Sequence, residues 1–259
     1  MNKTKPIYIN NDTWGDGLPR LVLGPCSVEN TEQMQKTYEF MHNKGIKNIR
    51  GGAYKPRTSP YDFQGLGKKG LDLLNESKSK YDFNIISEIM DPRDVCLAET
   101  YLDVIQIGSR NMQNFSLLKE VGKSQKPILL KRGLSSTIKE FINAAEYIYA
   151  AGNENIILCE RGIRTFENYT RNTLDISAVP ILKQETQFPI MVDVTHSTGI
   201  KSLMIPCMKA AVAAGADVIM AEVHPNPPQA LSDSKQQMDF KEASRFIEEF
   251  EQFNKKVFD

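Results

Sequence analysis

The chain alternates short apolar runs with longer segments in which apolar residues recur every three or four positions. Short apolar runs bounded by polar turns predict buried strands, and a repeat of about 3.6 residues predicts amphipathic helices between them. Eight such runs occur, each followed by enough chain for a helix. They span residues 21–24, 48–51, 84–89, 103–108, 127–130, 155–159, 189–192 and 217–221.

Helix boundaries are marked by side chains that satisfy free backbone groups. Asn30 is placed to cap the first helix, with Gln33 in the answering position, and Gly45 is placed to end it. Thr137 and Glu140 have the spacing of a capping box at the start of another helix.

Eight strand–helix units in one chain predict an α/β fold that closes as a (β/α)8 barrel, also called a TIM barrel. The length of 259 residues suits one such barrel. An open doubly wound sheet is the alternative, but no G-x-G-x-x-G follows the first run. We expect residues 1–20 to form an extension with a short hairpin that closes the barrel floor, and residues 21–259 to form the catalytic barrel. We expect no regulatory module within the roughly 20 residues before the first strand, which are too few to fold as one.

Composition excludes several classes of protein. Lys plus Arg and Asp plus Glu both number 32, so the net charge is zero, which argues against a nucleic-acid or membrane-surface protein. The first ten residues carry no apolar signal-peptide core, and no apolar stretch is long enough to span a membrane. The four cysteines are scattered without a C-x-x-C pair, as is typical of reduced thiols. We therefore expect a cytoplasmic protein.

Cationic side chains collect where the predicted strands end. Active sites of such barrels lie at the carboxyl ends of the strands and in the loops that follow. Four strand ends deliver cations to this rim: Lys55, Arg57, Arg110, Lys131, Arg132 and Arg161. The planar fork of arginine suits phosphate and carboxylate groups, so we expect an anion-binding site. The alternative is that each is a solvated surface charge.

A second group combines a thiol, an imidazole and two carboxylates. Cys26, His196, Glu222 and Asp233 follow the first, seventh and eighth strands. Closure of the barrel makes those strands neighbours, so the four side chains are expected to converge. Such a mixed donor set suits a divalent transition metal with open positions. The alternative is that Cys26 and His196 are ordinary core residues.

Six motifs in order carry a resemblance to a known family. They are G-P-C-S-V-E from Gly24, G-G-A-Y-K-P-R-T-S-P-Y from Gly51, K-R-G from Lys131, E-R-G from Glu160, D-V-T-H-S from Asp193, and the run from Glu222 to Asp233. Over residues 19–240 the chain resembles the 3-deoxy-D-arabino-heptulosonate 7-phosphate (DAHP) synthases. It is most similar to their compact class, which is related to the 3-deoxy-manno-octulosonate 8-phosphate synthases.

The resemblance implies roles for particular side chains. The metal ligands fall on Cys26, His196, Glu222 and Asp233, with Mn2+ expected and Fe2+, Co2+ or Zn2+ as alternatives. The phosphoenolpyruvate contacts fall on Arg110, Lys131 and Arg161, with Arg132 beside them. The aldose-phosphate loop falls on Lys55, Pro56, Arg57 and Thr58. Lys55, Lys131, Glu88 and Asp193 are candidates for catalysis and proton transfer. Arg164, just beyond its motif, is expected to matter much less.

The implied activity is the condensation of phosphoenolpyruvate with D-erythrose 4-phosphate and water, a transferase reaction that begins the shikimate pathway to the aromatic amino acids. The implied assembly is a homo-oligomer, either a dimer or a tetramer. Whether a separate regulatory partner exists is left open. Three alternatives remain: an octulosonate synthase that uses arabinose 5-phosphate, a barrel that has lost catalysis and acts as a regulatory or scaffold subunit, and another metal-dependent lyase or aldolase.

Overall fold

Eight parallel strands close into a barrel in the computed structural model, which describes residues 4–57 and 59–258. Two further strands precede them and pair with each other in an antiparallel hairpin. The strands within the described residues are β1 (Ile7–Ile9), β2 (Asp12–Trp14), β3 (Arg20–Gly24), β4 (Asn48–Arg50), β5 (Asn84–Ile89), β6 (Val104–Ile107), β7 (Ile128–Lys131), β8 (Ile156–Glu160), β9 (Ile190–Asp193) and β10 (Val218–Glu222). Strands β3 to β10 follow one another around the barrel, and β10 pairs with β3 to close it.

The predicted (β/α)8 barrel with its N-terminal hairpin is confirmed, and each predicted run coincides with a barrel strand. Most boundaries differ by one residue, and four of the predicted runs end one position early because a charged residue completes the strand. Lys131, Glu160, Asp193 and Glu222 are the last residues of their strands, although they are charged. The ends of these strands therefore place charged side chains at the rim of the barrel, while the strand interiors remain apolar.

Helices connect the barrel strands and cover their outer face. Within the described residues they are α1 (Thr31–Asn43), α2 (Lys68–Tyr81), α3 (Val95–Tyr101), α4 (Phe115–Val121), α5 (Ile138–Ala150), α6 (Ala178–Glu185), α7 (Val194–Thr198), α8 (Met204–Ala213) and α9 (Phe240–Phe258). None of these helices is both long and apolar enough to cross a bilayer.

The predicted helix caps are present, with one difference. Thr137 and Glu140 form the complete capping box of α5. The side chain of Asn30 accepts from the backbone of Gln33, as expected at the start of α1. Gln33, however, accepts from the backbone N–H of Glu29 rather than from that of Asn30, so the reciprocal half of a capping box is missing at α1. This contact ties the loop that follows β3 to the first turn of α1.

The hairpin closes the floor of the barrel with apolar side chains. Ile7, Ile9 and Trp14 are buried in one cluster with the residues that fill the barrel interior. Those interior residues are Val22, Ile86, Val104, Leu129, Ile157, Cys159, Met191, Val218 and Met220. A barrel packed in this way has no open channel, so chemistry is confined to its opposite end.

Candidate active site and metal centre

Barrel closure brings together side chains that are far apart in sequence. Strand β10 lies between β3 and β9. Cys26 follows β3, His196 lies in α7 directly after β9, and Glu222 ends β10. Asp233 lies in the loop between β10 and α9, where its φ of 46° places it in the left-handed region that non-glycine residues seldom adopt. The neighbouring strands thus present all four predicted donors to one sector of the rim.

The four donors are close enough to share one ion. One ligand atom from each of Cys26, His196, Glu222 and Asp233 lies within 4.8 Å of the others. Bonds of about 2.0–2.3 Å to a central ion place its ligands about 3.0–4.6 Å apart. His196 Nε2 is 3.2 Å from Glu222 Oε1 and 3.5 Å from Asp233 Oδ2. The spacing and the mixed sulfur, nitrogen and oxygen donors both fit a divalent transition metal.

Asp193 orients the imidazole of His196. Its Oδ2 lies 2.7 Å from His196 Nδ1, and a carboxylate there accepts the ring proton, which leaves Nε2 free to face the other three donors. Burial lowers the pKa of His196, but the carboxylates of Asp193 and Glu222 outweigh it and raise the pKa to about 10. The pocket therefore favours a positive charge at this position, whether a proton on the ring or a metal ion beside it.

Two cations lie beside the four-donor group. Arg50, the last residue of β4, donates to Glu222 Oε1 at 2.6 Å, and both side chains are buried. Burial raises the pKa of Glu222, but His196 and Arg50 outweigh it, so its pKa is lowered. Lys55 Nζ lies 3.1 Å from the Cys26 sulfur and 3.0 Å from its carbonyl oxygen. Lys55 thus connects the four-donor group to the cavity that adjoins it.

A cavity of about 320 Å³ opens at this end of the barrel. Five of the six predicted cations line it: Lys55, Arg57, Arg110, Lys131 and Arg161. Pro56, Glu88, His196 and Asp233 also line it, whereas Thr58 lies outside the described residues. A cavity lined by cations and adjoining the four-donor group is therefore present where the strand-end pattern predicts a site.

Arg132 requires a correction, because it is not among the described residues that line the cavity. Its guanidinium donates to Glu160 at 2.7 Å and to Asp175 at 2.8 Å, and it also contacts the carbonyl oxygen of Ser136. Successive residues of a strand point to opposite faces, so Lys131 points into the barrel and Arg132 points away from it. Arg132 fixes the loops behind the cavity and is not placed to touch a substrate.

The two candidate carboxylates for proton transfer have different surroundings. Asp193 is fully buried and accepts from Lys131 Nζ at 2.5 Å as well as lying against His196. Burial raises the pKa of Asp193, but His196 and Lys131 outweigh it and hold the pKa well below its usual range. Glu88 lines the cavity, and its Oε1 has no hydrogen-bond partner among the described residues. Of the two carboxylates, only Glu88 has an oxygen without a partner among the described residues, whereas both oxygens of Asp193 are engaged by its neighbours.

Three further arginines line the cavity although they were not predicted to do so: Arg50, Arg164 and Arg171. Arg50 ends a strand, so the pattern that identified the other cations could have included it. Arg164, which was expected to matter less for substrate binding than Arg110 or Arg161, also lines the cavity. Arg171 is brought back by an antiparallel bridge between Ile163 and Thr173, which no strand-end pattern indicates.

Comparison with known proteins identifies the family. Residues 5–259 match the model of the DAHP synthetase I family. The chain belongs to that family. Synthases of this family are generally metal-dependent, in agreement with the four-donor group.

Individual relatives agree with this placement. Over 235 residues the chain is 53% identical to a phospho-2-dehydro-3-deoxyheptonate aldolase of Thermotoga maritima, covering 91% of this chain and 70% of the relative. A crystal structure of that T. maritima enzyme has a TM-score of 0.95 at 49% identity, covering 98% of this chain and 75% of the other. A 2-dehydro-3-deoxyphosphooctonate aldolase of Desulfosudis oleivorans is 32% identical, covering 89% of this chain and 88% of the relative. Both synthase classes named by the sequence resemblance are thus among the relatives.

Proposed function

We propose that this protein condenses phosphoenolpyruvate with D-erythrose 4-phosphate and water to give 3-deoxy-D-arabino-heptulosonate 7-phosphate and phosphate. This reaction begins the shikimate pathway to the aromatic amino acids. The observation that carries the proposal is one cavity that joins the four-donor group to a row of cations, of which Lys55, Lys131 and Arg161 are buried. The chain's membership of the DAHP synthetase I family supports it.

A divalent ion would be held by Cys26, His196, Glu222 and Asp233, and Mn2+ is our first choice over Fe2+, Co2+ and Zn2+. Such an ion supplies polarisation of the aldehyde oxygen or activation of a water molecule. Asp193 keeps the imidazole of His196 turned toward the ion, and Arg50 compensates the charge of Glu222. These contacts prepare the donors before the ion or the substrate arrives.

Phosphoenolpyruvate binds to Arg110, Lys131 and Arg161, which face the cavity from the carboxyl ends of three consecutive strands, β6, β7 and β8. The phosphate and carboxylate of this substrate match a site lined by several cations, because charge-assisted hydrogen bonds fix both ends of the molecule. Lys131 is itself held by Asp193, so its ammonium has a defined position. The three cations orient the enol carbon and stabilise the phosphate as it departs.

The aldose phosphate binds along Lys55, Pro56 and Arg57, with Thr58 assigned to the same loop from the motif alone. Arg57 lies 3.4 Å from the half-exposed Asp62, a contact that a phosphate can replace at little cost because exposed ion pairs are weak. Lys55 extends from this loop to the Cys26 sulfur, so it contacts the reacting ends of both substrates. The aldehyde is thereby presented beside the metal group.

The carbon–carbon bond forms between C3 of phosphoenolpyruvate and the aldehyde carbon, which leaves cationic character at C2. Water adds at C2, and the resulting hemiketal phosphate breaks its carbon–oxygen bond to give the keto acid and phosphate. Glu88 accepts the proton released by the water, because its Oε1 is buried at the cavity wall without another partner among the described residues. Lys131 and Lys55 donate to the oxygens that become negatively charged.

The second candidate is the octulosonate synthase reaction with arabinose 5-phosphate, which the name of the D. oleivorans relative favours. Here the aldose loop contains Pro56 and Arg57, whereas the corresponding loop of the octulosonate synthases resembles the sequence K-A-N-R-S-S. Pro56 fixes its own φ and stiffens the loop, which favours the shorter sugar. The two activities differ in one substrate only.

Initial rates of phosphate release test the proposal. Mn2+-loaded enzyme is mixed with phosphoenolpyruvate and, in separate reactions, with erythrose 4-phosphate or arabinose 5-phosphate. We expect release with erythrose 4-phosphate at a rate at least tenfold above that with arabinose 5-phosphate, a difference of about 1.4 kcal/mol in the barrier. Faster release with arabinose 5-phosphate would favour the second candidate, and no release with either would exclude both.

We further place the enzyme in the cytoplasm as a homo-oligomer, either a dimer or a tetramer. The intracellular origin of its phosphorylated substrates and the scattered cysteines support the location. Sedimentation of the purified chain tests the oligomeric state, and a monomer at micromolar concentration would contradict it.

A further inference from the structure

Gln236 bridges the two carboxylates of the metal group. Its side-chain nitrogen lies 3.1 Å from Glu222 Oε2 and 3.0 Å from Asp233 Oδ2. An amide NH2 has two hydrogens, so it can donate one to each carboxylate at the same time. Gln236 is buried, and none of the six motifs assigns it a role.

The orientation of the amide is fixed from its other end. The guanidinium of Arg171 donates to Gln236 Oε1 at 2.8 Å. Because a guanidinium can only donate, this contact requires the oxygen of the amide to face Arg171 and the nitrogen to face the carboxylates. Gln236 is thus held in the one orientation in which it serves both carboxylates as a donor.

The backbone also holds Gln236 beside Asp233. The backbone N–H of Gln236 donates to the carbonyl oxygen of Asp233, which closes a tight turn. Asp233 adopts its left-handed backbone conformation at the start of this turn. The side chain and the backbone of Gln236 therefore both hold Asp233, which lies in a loop and has no strand to support it.

The contacts divide the two oxygens of Glu222 between different tasks. Oε1 faces His196 Nε2 and accepts from Arg50, while Oε2 accepts from Gln236. A carboxylate held at one oxygen cannot rotate freely about its terminal bond, so the other oxygen remains turned toward the other three candidate donors. Glu222 and Asp233 also repel each other, and a donor between them offsets that repulsion.

We infer that Gln236 is a positioning residue that sets the separation and the orientation of the two carboxylate ligands. The inference rests on the divalent-metal centre of the proposed function. Partners that hydrogen-bond to metal ligands typically change metal affinity by about tenfold to a hundredfold when they are removed. Gln236 does not itself touch the substrate, so its effect is exerted through Glu222 and Asp233.

Binding of Mn2+ to the full-length chain tests the inference. Gln236→Met keeps the volume of the side chain and removes the amide, and Gln236→Ala gives a smaller side chain that cannot clash. Gln252→Met makes the same change at an exposed position on α9 and is the matched control. Each chelator-treated protein is titrated with Mn2+ by calorimetry, its melting temperature is measured without metal, and the electron paramagnetic resonance spectrum of bound Mn2+ is recorded.

We expect both Gln236 variants to weaken Mn2+ binding by about tenfold or more, to alter the Mn2+ spectrum, and to keep the melting temperature close to that of the control. A Mn2+ affinity within about twofold of wild type and an unchanged spectrum would overturn the inference. So would a variant that lowers the melting temperature alone, since Gln236 would then be structural. Failure of the wild-type chain itself to bind any divalent ion would instead refute the metal centre, and with it this inference.

Discussion

Arg50, at the end of β4, donates to Glu222, at the end of β10, across the intervening strand β3, with 2.6 Å between Nη1 and Oε1 and both side chains buried. The same oxygen of Glu222 faces His196 Nε2 at 3.2 Å. The guanidinium therefore neutralises a carboxylate that is also one of the four candidate metal donors. Its contribution to folding and its contribution to the metal site can be separated by experiment.

Replacement of Arg50 by methionine is expected to destabilise the metal-free chain. Glu222 would remain as a buried charge without its guanidinium, at a cost of about 3–5 kcal/mol in the free energy of unfolding. Saturating Mn2+ should restore part of this loss, because a bound cation again compensates the carboxylate. Urea unfolding with chelator and with Mn2+ measures both effects. The exposed Arg245 on α9 provides the matched control, Arg245→Met, and an equal, small effect of the two substitutions would contradict this account.

Cys26→Ala is expected to weaken Mn2+ binding by more than the roughly tenfold to hundredfold typical of an outer partner, because it removes a ligand itself. Most of the turnover should be lost with it. Cys96→Ala is the matched control, since Cys96 is an exposed thiol on α3. Calorimetric titration with Mn2+ and steady-state phosphate release provide the two measurements. Full activity of chelator-treated wild-type enzyme, with no metal detected by elemental analysis, would disprove metal dependence.

Arg110→Ala or Arg161→Ala is expected to weaken phosphoenolpyruvate binding by about 2–5 kcal/mol, because each would remove one partner of a charged contact that the bound substrate buries. Arg245→Ala should change binding by less than about 0.5 kcal/mol, as is usual for exposed positions. Arg164 is not suitable as the control because it lines the cavity. Equilibrium binding of phosphoenolpyruvate to the three variants is the measurement. Effects as small as that of the control would mean that these arginines are solvated charges.

Asp12 gives the hairpin a pH-dependent attachment to the barrel. Its carboxylate accepts from Asn48, Arg20 and the backbone of Thr13. Burial raises the pKa of Asp12, but these hydrogen bonds outweigh it and lower the pKa. A depressed pKa in the folded state means that the carboxylate contributes stability above the unfolded value of about 3.9, and that this contribution is lost as the pH falls through the folded value.

Asp12→Asn should therefore lower the free energy of unfolding by about 1–3 kcal/mol at pH 7. The difference from wild type should stay constant down to about pH 5 and shrink below about pH 4. Urea unfolding of both proteins at several pH values measures this difference. A difference that is unchanged between pH 7 and pH 3.5 would show that the ionised form of Asp12 adds nothing.

Much of the fold can be predicted from the sequence because local patterns determine it. Buried strands and capped helices can be recognised from patterns of a few residues. Thr137 and Glu140, for example, mark the start of α5. Strand order in a barrel then follows chain order, which is why Cys26, His196 and Glu222 could be expected to converge. Strand ends were placed one residue early where a charged residue such as Lys131 completes an apolar strand.

The rest of the site depends on loop geometry that no local pattern specifies. Arg171 reaches the cavity because its loop doubles back, and Gln236 reaches two carboxylates because of one tight turn. Arg132 and Lys131 are adjacent cations, yet strand alternation sends them to opposite sides of the barrel wall. Charge and position in the sequence locate the rim, whereas the partner of each cation is decided by three-dimensional packing.

The measurement that tests the central claim most directly is identification of the product formed in competition between the two aldoses. Mn2+-loaded enzyme is given phosphoenolpyruvate with equal erythrose 4-phosphate and arabinose 5-phosphate, and the products are analysed by mass spectrometry alongside the phosphate released. We predict mainly the seven-carbon heptulosonate phosphate with one phosphate released per product, abolished by a chelator and restored by Mn2+. Mainly the eight-carbon product, or a rate indifferent to metal removal, would contradict the account.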